Sequence, residues 1–363
     1  MKRHGNLYEK IYDFENLYQA YLEARKNKRY RQDVLEFTAN LEENLIQIQN
    51  ELIWKTYKVG RYREFYIYEP KRRLIMALPF KDRVVQWAIY RILNPLFDKT
   101  FIEHSYACRV GKGTHAAADR LQYWLRKVSR KPEKWYYLKL DISKYFYRVD
   151  HDVLIKILQN KIKDKDLIWL LKVIIDSNGM KFGLPLGAEP GECERISGKG
   201  IPIGNLTSQL FANTYLNELD KYCKHELKVK YYIRYMDDVI ILHNDKKYLH
   251  EIKNLIEIFL NESLKLHLNN KTAIRPISVG IPFVGFRVWA THRKMKKKSV
   301  KKIKKRLKFI KKEYEAGRIE FDKVNATVQS YLGIMKHFNS YNLRKKLFDN
   351  FVLVRGNDIK NEP

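Results

Sequence analysis

The chain has 363 residues, enough for two or three domains. It carries 71 Lys and Arg against 41 Asp and Glu, a net charge of +30, and 45% of its residues are hydrophobic. That apolar content excludes a disordered chain, and no stretch approaches the ~18 apolar residues of a membrane span. The N-terminus lacks the apolar core of a signal peptide, and the three cysteines form no close pair. We expect a cytoplasmic protein with no membrane partner, and nucleic acid is the leading anionic partner.

The first half of the chain contains signals for helices and short strands. Apolar residues from Val34 to Leu52 recur at helical spacing and predict one long amphipathic helix. Tyr62–Tyr68 and Leu74–Leu78 read as two strands joined by a basic turn at Glu69–Arg73. Trp135–Ile142 is a further β-prone run, and it contains Asp141 near its end.

The second half alternates between helical and extended patterns. Gly and Pro in Asn178–Gly204 predict a long loop or hairpin-rich excursion. Mostly helical runs are predicted over Val153–Ile175 and Leu206–Leu219. A hairpin is predicted over Tyr231–Leu242, a further helix over Leu249–Leu264, and a final strand or strand pair over Ile281–Trp289.

The positive charge is concentrated at the C-terminal end. Residues 291–363 carry a net +14 of the total +30. A helix is predicted from Ser299, with two more over Phe321–His337 and Tyr341–Val354. The polar face of the helix that begins at Ser299 is formed by lysines with almost no acidic partners at i+4, and Lys304 and Lys308 are among them. An ordinary solvated face is one interpretation, and a surface that faces nucleic-acid phosphates accounts better for the pattern.

Two adjacent aspartates interrupt the apolar run of the predicted hairpin. Asp237 and Asp238 follow Tyr-Met and precede Val-Ile-Ile-Leu. An isolated Asp-Asp is more often a solvent turn than a site, but a solvent turn does not need apolar flanks. Two like charges in a buried strand pair would be costly without compensation. A divalent cation would supply that compensation.

Asp141 gives a second signal of the same form, at the end of a strand. Alone it could be a helix N-cap. Together with Asp237 and Asp238 it could hold two Mg²⁺ ions, or Mn²⁺, because carboxylate oxygens are the ligands these hard cations prefer. Two such ions would activate an attacking 3′-hydroxyl and stabilise a leaving pyrophosphate.

These residues resemble the reverse transcriptase family. Tyr235-Met-Asp-Asp238 is similar to its YxDD motif, and the segment around Asp141 is similar to its first aspartate motif. Further segments resemble its fingers motif (Pro70–Gln86), its template-contacting motif (His104–Thr114), its nucleotide motif (Gly200–Leu216), its pocket-lysine motif (Leu264–Thr272) and its primer grip (Phe283–Phe286). These segments occur in the family's order.

The resemblance implies roles for individual residues. Asp141 and Asp237 would bridge both metals, with Asp238 as a weaker ligand and Lys271 as general acid, although Lys271 could equally be a surface lysine. Phe146 would be the steric gate against a ribose 2′-hydroxyl, or a core aromatic. The remaining implied contacts are nucleotide binding by Lys71, Arg72, Arg73, Ile203, Gly204 and Gln209, and template–primer binding by Arg109, Phe283, Gly285, Lys304 and Lys308.

The nucleotide motif departs from the pattern of most members. Ile203 stands where they have glutamine, and Gln209 stands where they have proline. This resembles the reverse transcriptases of diversity-generating retroelements, which copy a template RNA with errors opposite adenines and act with a small accessory protein. Ile203 cannot donate the hydrogen bond that glutamine offers. The alternatives are a solitary, abortive-infection or group II intron-like enzyme, or a catalytically dead basic RNA-binding protein on the same fold.

The resemblance also implies an architecture, an α+β right-hand polymerase with an antiparallel palm sheet and a helical thumb. Fingers would span 1–140 with an insertion at about 151–200, palm 141–150 and 201–290, and thumb 291–363. The partners would be template RNA, a cDNA or primer strand, deoxynucleoside triphosphates and a small accessory protein, in a bacterial, archaeal or phage-encoded system.

Overall fold

The computed structural model describes residues 3–68, 73–177, 179–188 and 194–354. The chain divides into two compact units. The first unit contains Met1–Gly111, Lys139–Ile241 and Lys247–Ala273, and the second contains Lys112–Leu138, Leu242–Lys246 and Ile274–Pro363.

Helices dominate the described part of the chain. Those found there are α1 (Tyr8–Tyr12), α2 (Phe14–Arg25), α3 (Gln32–Ala39), α4 (Leu41–Ile53), α5 (Phe80–Asp98), α6 (Thr114–Val128), α7 (Tyr145–Arg148), α8 (His151–Gln159), α9 (Lys165–Asp176), α10 (Leu206–Lys221), α11 (Lys246–Ser263), α12 (Lys297–Glu315), α13 (Phe321–Met335) and α14 (Tyr341–Phe348). A π-helical turn over Tyr222–Glu226 continues α10. No helix among the described residues has the length and apolar character needed to cross a bilayer.

The strands are short. They are β1 (Arg63–Ile67), β2 (Arg73–Ala77), β3 (Tyr136–Asp141), β4 (Tyr231–Tyr235), β5 (Asp238–His243), β6 (Ala273–Pro276), β7 (Ile281–Phe283), β8 (Phe286–Val288) and β9 (Arg293–Met295). They form a hairpin β1-β2, a four-stranded sheet of order β4-β5-β3-β6 and a three-stranded sheet β7-β8-β9.

The N-terminal part of the first unit is built on α2 and α5. Asp13 caps α2 by accepting the N–H of Asn16 at 3.1 Å. The Asn16 amide donates to the carbonyls of Ile11 and Ala88 at 3.0 and 3.2 Å, so this buried polar side chain joins the two helices. Leu17 and Val84 are fully buried in the same core.

Two predicted helices are broken in the structure. The long helix expected over 34–52 is divided into α3 and α4 at Asn40, which has φ −120° and ψ 51°. The helical run expected over 153–175 is divided into α8 and α9, and Asp164 caps α9 by accepting the N–H of Leu167 at 3.2 Å. Short polar side chains such as Asn and Asp favour these breaks because they compete with helical backbone bonds. The last helix, expected to reach Val354, ends at Phe348.

The β1-β2 hairpin is antiparallel, with Arg63 opposite Ala77 and Ile67 opposite Arg73. The predicted strand pair is therefore confirmed. Leu74 and Met76 are buried, so one face of β2 packs into the first unit while Arg73 is exposed. The turn that joins the strands lies outside the described residues.

In the second unit, the sheet β7-β8-β9 is an antiparallel meander. Helix α12 begins at Lys297, two residues before the predicted start, and it packs on α13. Its buried residues are Ile303, Leu307 and Ile310, which confirms the predicted amphipathic pattern. The lysines of the opposite face are exposed to solvent.

Candidate active site

Asp237 lies in the two-residue turn between β4 and β5, so the predicted hairpin is confirmed. Met236 in that turn has φ 54°, a left-handed value that residues with a Cβ rarely adopt. Tight hairpins need positive φ because the turn must follow the right-handed twist of the strands. Ile233 and Val239 on the two strands are fully buried. This packing fixes the turn and therefore the backbone of Asp237.

The surroundings of Asp237 raise the pKa of its carboxyl. Burial is the largest cause, and the negative charges of Asp238 and Asp141 raise the pKa further. A hydrogen bond to its own backbone N–H and the positive charge of Arg73 act in the opposite direction. Such charge effects are strong only over a few ångströms. Strand β3, which ends at Asp141, is the sheet neighbour of β5, which begins at Asp238. The sheet therefore places the three predicted aspartates on neighbouring strands and their connecting turn, and the charge of Arg73 also acts on Asp237.

Asp238 forms an ion pair with Lys139, whose Nζ lies 2.5 Å from its Oδ1. Lys139 is on β3, two residues before Asp141, so their side chains are on the same face of the strand. This lysine was not among the residues predicted from the sequence. The signal was a cation inside the apolar run Tyr-Tyr-Leu-Lys-Leu-Asp. Its charge offsets part of the repulsion between the neighbouring carboxylates.

The backbone of Asp141 is held by the segment that contains Lys271. The Asp141 N–H donates to Thr272 Oγ1 at 3.2 Å, and its carbonyl accepts the N–H of Asn269 at 2.7 Å. The Lys271 N–H donates to Asn269 Oδ1 at 3.1 Å, while its side chain is exposed. The expected general acid therefore lies in the segment that is hydrogen-bonded to the backbone of Asp141.

Strand β2 lies against the predicted nucleotide motif. The N–H of Met76 donates to the carbonyl of Ile203 at 3.0 Å. Gly204 has φ 130°, and a Cβ at this position would lie 2.7 Å from the Met76 carbonyl oxygen. The resemblance implies that this glycine binds the nucleotide, where the absence of a Cβ would allow a close approach. The structure shows that the close approach of Met76 already requires a glycine here.

Gly204 and Gln209 both line a cavity of about 410 Å³ in the first unit. Four cationic side chains line it too, namely those of Lys28, Arg31, Arg63 and Arg83. Burial is the main reason that the pKa of Lys28 is lowered, and the charges of Arg83 and Arg31 lower it further. The cavity is therefore strongly positive, as a phosphate-binding surface would be.

The structure describes only some of the remaining residues that were predicted to contact the nucleotide. Phe146 is half-buried on the short helix α7, and its carbonyl accepts the N–H of Ile201 at 2.8 Å. Lys71 and Arg72 lie outside the described residues. Arg73 is the member of the basic turn that the structure places, at the start of β2.

Comparison with known proteins decides the family. Residues 68–301 match the family model described as reverse transcriptase (RNA-dependent DNA polymerase). The chain belongs to the reverse transcriptase family. This confirms the predicted family and, with the observed mixture of helices and antiparallel sheets, the predicted α+β right-hand polymerase class.

The curated relatives include bacterial and intron-encoded proteins. Protein YkfC of Escherichia coli (strain K12) is 27% identical over 69% of this chain and 72% of its own length. The group II intron-encoded protein LtrA of Lactococcus lactis is 29% identical over 66% of this chain and 39% of its own length. A telomerase structure from Candida albicans aligns with 81% of this chain and 55% of its own, at 15% identity and a TM-score of 0.47. The chain thus spans well under half of the matched intron protein.

A buried ion pair supports the aspartate hairpin of this reverse transcriptase. Arg234 on β4 donates two hydrogen bonds to Asp220 on α10, at 2.7 and 2.6 Å, and both side chains are fully buried. Arg234 also donates to the carbonyl of Met236 at 3.1 Å, and Tyr232 donates to Asp220 at 2.7 Å. This cluster was not among the residues predicted from the sequence. The available signals were a lone Arg in the strand Tyr-Tyr-Ile-Arg-Tyr and a lone Asp among buried residues of α10.

The predicted template contact by Arg109 is not supported by the geometry. Its guanidinium donates to both carboxylate oxygens and the carbonyl of Asp98, and to the carbonyls of Ile102 and Ser105, at 2.6–3.3 Å. These bonds use all five N–H donors of the side chain. Arg109 therefore fixes its own loop and has no donor left for a template phosphate.

The predicted primer-grip residues differ in accessibility. Phe283 is fully buried on β7, so its side chain cannot touch a primer. Gly285 is exposed in the turn between β7 and β8, with φ 91°. Lys304 and Lys308 are exposed one turn apart on α12. In the second unit, the turn and the helix face are the predicted contacts that solvent can reach.

The chemistry of the aspartates fits a divalent cation. Among the residues that the structure describes, no group of three or more His, Cys, Asp or Glu side chains is arranged as a ready-made metal site. Asp238 is turned to Lys139, while Asp141 and Asp238 both raise the pKa of Asp237. Carboxylate oxygens that repel one another at a half-buried position are suitable ligands for Mg²⁺ or Mn²⁺.

Proposed function

We propose that this protein copies a template RNA into cDNA, using a primer strand and deoxynucleoside triphosphates. The observation that carries the proposal is the placement of Asp141, Asp237 and Asp238 on the neighbouring strands β3 and β5 and the turn before β5, in a chain of the reverse transcriptase family. The charge of Arg73 acts on the same group of carboxylates. Phosphoryl transfer needs both features, metal-binding carboxylates and a nearby cation for the phosphates.

Asp141 and Asp237 would hold the divalent cations, with Asp238 as a third ligand. Bound Mg²⁺ or Mn²⁺ would supply activation of the primer 3′-hydroxyl and stabilisation of the pyrophosphate. The Arg234–Asp220 pair would orient the turn that carries Asp237, because Arg234 binds the Met236 carbonyl. Lys139 would limit repulsion at Asp238 until the cations bind.

Basic side chains in the first unit would bind the incoming nucleotide. Arg73, with Lys71 and Arg72, would contact the triphosphate. Phe146, Ile203, Gly204 and Gln209 would shape the pocket for sugar and base, and Lys271 would protonate the pyrophosphate. The positive cavity beside Gly204 would attract nucleic-acid phosphates to the same side of α10.

The second unit would grip the template–primer duplex. Gly285 offers an exposed turn for the primer backbone, and Lys304 and Lys308 offer charges for phosphates. We retain the expected fingers, palm and thumb ranges as part of this proposal. The small accessory protein and the cytoplasmic location expected from the sequence also stay predictions.

The nucleotide motif favours a diversity-generating retroelement enzyme that makes errors at adenines. The segment Ile203-Gly-Asn-Leu-Thr-Ser-Gln209 carries this proposal. If the missing glutamine lowers fidelity, Ile203→Gln will reduce misincorporation opposite template adenines relative to other bases. An unchanged adenine error rate would contradict it. A near-identical repeat pair in the flanking DNA, differing mainly at adenines, would support the subclass.

A group II intron-like role is the second candidate. It is favoured by the intron-encoded relatives, including LtrA and a putative COX1/OXI3 intron 2 protein of Saccharomyces cerevisiae, 23% identical over 69% of this chain. In this case the coding sequence would lie within or beside a group II intron, with no adenine-variable repeat pair. The flanking DNA therefore separates the two candidates.

Primer extension tests the activity itself. With Mg²⁺, an RNA template, an annealed DNA primer and all four deoxynucleotides, the wild-type protein is expected to make full-length cDNA. A protein that binds the template–primer but extends it with neither Mg²⁺ nor Mn²⁺ would support the dead RNA-binding alternative and overturn the proposal.

A further inference from the structure

Helix α4 exposes a row of large apolar side chains on the surface of the first unit. Ile46 is 41% exposed, Ile53 is 44% exposed, and Trp54, which directly follows the helix, is 69% exposed. Residues seven and eight positions apart lie on the same side of a helix. The opposite side packs into the core through Leu45, Ile48 and Leu52. We call the exposed side the outer face of α4; it consists of Glu42, Glu43, Ile46, Gln47, Ile53 and Trp54.

The charge of this part of the chain is opposite to that of the whole. The 23 residues from Gln32 to Trp54 contain five acidic side chains and no Lys, Arg or His, although about one residue in five of the chain is Lys or Arg. The acids are Asp33, Glu36, Glu42, Glu43 and Glu51. The outer face of α4 is therefore acidic as well as apolar, in a chain of net charge +30.

Helix electrostatics account for only part of this pattern. Carboxylates in the first turn, such as Glu42 and Glu43, are favoured by the positive end of the helix dipole. The same dipole favours Lys or Arg in the last turn, and α4 has neither there. It also gives no reason to expose Ile46, Ile53 and Trp54 together, since exposed apolar residues on a protein surface are ordinarily scattered singly.

The carboxylates of the outer face are available to a partner. Glu42 and Glu43 form no ion pair with any residue that the structure describes. Glu51, on another side of the helix, is paired with Lys81 at 2.6 Å. Lys55, which follows Trp54, is paired with Asp166 at 2.6 Å. These pairs leave the outer face with a net negative charge.

Ile53 joins the outer face to a groove of about 400 Å³. Tyr12 also lines the groove, and Gln49 links α4 to this wall by donating to the Tyr12 carbonyl at 2.9 Å. The acids of the lining outnumber its lysines; they are Glu9, Asp164 and Asp166 against Lys55 and Lys163. The groove can therefore hold an apolar or cationic side chain of a partner.

This chemistry indicates the kind of partner. Carboxylates repel nucleic-acid phosphates, so the outer face of α4 is unsuited to RNA. A symmetric contact with a second copy would bring the same acidic residues of both copies together. A basic protein has neither difficulty, because opposite charges speed association and select the partner. Trp54 suits the centre of such a contact, since tryptophan is enriched among the residues that dominate protein interfaces.

We propose that the outer face of α4 binds a helix of a positively charged partner protein. Apolar side chains of that helix contact Ile46, Ile53 and Trp54, and its Lys or Arg residues pair with Glu42 and Glu43. The inference does not rest on the proposed polymerase activity, because this face contains none of the residues assigned to that activity.

Peptide binding to the full chain, without nucleic acid, tests the proposal. The probe is a fluorescein-labelled helical peptide of about 18 residues, with leucine along one face and lysine along the other. A second peptide with the same lysines and with serine in place of every leucine controls for charge alone. Fluorescence anisotropy measures both affinities. We expect the leucine–lysine peptide to bind at least tenfold more tightly than the serine–lysine peptide.

Two variants of the outer face locate the binding. Glu42→Lys with Glu43→Lys reverses its charge, and Ile46→Ser with Trp54→Ser removes its apolar contact. All four residues are exposed, so both variants should keep the fold, which circular dichroism checks. Each variant should bind the leucine–lysine peptide at least tenfold more weakly than the wild type does.

The same charge change elsewhere is the matched control. Glu251→Lys with Glu262→Lys, at exposed residues of α11, should bind the peptide like the wild type. Equal affinity of the wild type and of Glu42→Lys with Glu43→Lys would overturn the proposal, as would no binding by the wild type. Sedimentation velocity tests the other occupant. A dimer of the wild type that is lost in Ile46→Ser with Trp54→Ser would identify a second copy and would also overturn the proposal.

Discussion

The aspartate hairpin and the lysine face of α12 differ in whether their charged side chains are buried and paired or exposed to solvent. At the hairpin, Arg234 and Asp220 are fully buried and bonded to each other, and Asp238 is paired with Lys139. On α12, Lys304 and Lys308 are exposed to solvent. Buried, paired charges fix geometry because either partner alone would be left desolvated. Exposed charges fix little, and they remain available for the phosphates of a substrate.

The largest expected effect comes from breaking the buried pair. Asp220→Leu leaves the Arg234 guanidinium buried without its partner, which should lower the free energy of unfolding by about 3–5 kcal/mol. Urea denaturation measures this. The double variant Asp220→Leu with Arg234→Met should recover much of the loss, because no uncompensated charge remains. Equal losses in single and double variants would show that the pair is not what holds the hairpin.

The lysine face should affect binding and leave stability unchanged. Lys304→Ala with Lys308→Ala is expected to reduce the slope of log affinity against log salt concentration by about 2 for a template–primer duplex. Fluorescence anisotropy at several salt concentrations measures the slope. The pair Lys165→Ala and Lys172→Ala on α9, also exposed, is the control. An equal change in both pairs would mean that α12 is only a solvated face.

Two glycines at positive φ offer a smaller and sharper contrast. Gly204→Ala places a Cβ 2.7 Å from the Met76 carbonyl, whereas a Cβ at Gly285 meets nothing within 4 Å. Both changes carry the cost of a left-handed residue, about 1 kcal/mol. Gly204→Ala should therefore destabilise the protein by about 1–3 kcal/mol more than Gly285→Ala, since backbone must move. Thermal or urea unfolding compares them, and equal losses would remove the steric argument.

Local patterns in the sequence were sufficient to predict much of this arrangement. The hairpin at Tyr235–Asp238 and the strand ending at Asp141 follow from apolar runs interrupted by acids, because period-two burial is visible in a single segment. The pairing of Arg234 with Asp220 depends on a helix and a strand meeting in three dimensions. Arg109 illustrates the same limit, because the sequence does not show whether an arginine is bonded to Asp98 or is free to bind a template phosphate. Phe283 was placed correctly in its strand, while its burial depended on tertiary packing.

The proposed polymerase is tested most directly by Asp237→Asn in primer extension on an RNA template. Asp245→Asn is the matched control, because it makes the same chemical change at an exposed residue close by in sequence. We predict that Asp237→Asn keeps its fold and its affinity for the template–primer but loses at least a thousandfold in extension rate. Asp245→Asn should extend like the wild type. Extension by Asp237→Asn within tenfold of the wild type would contradict the assignment of this site.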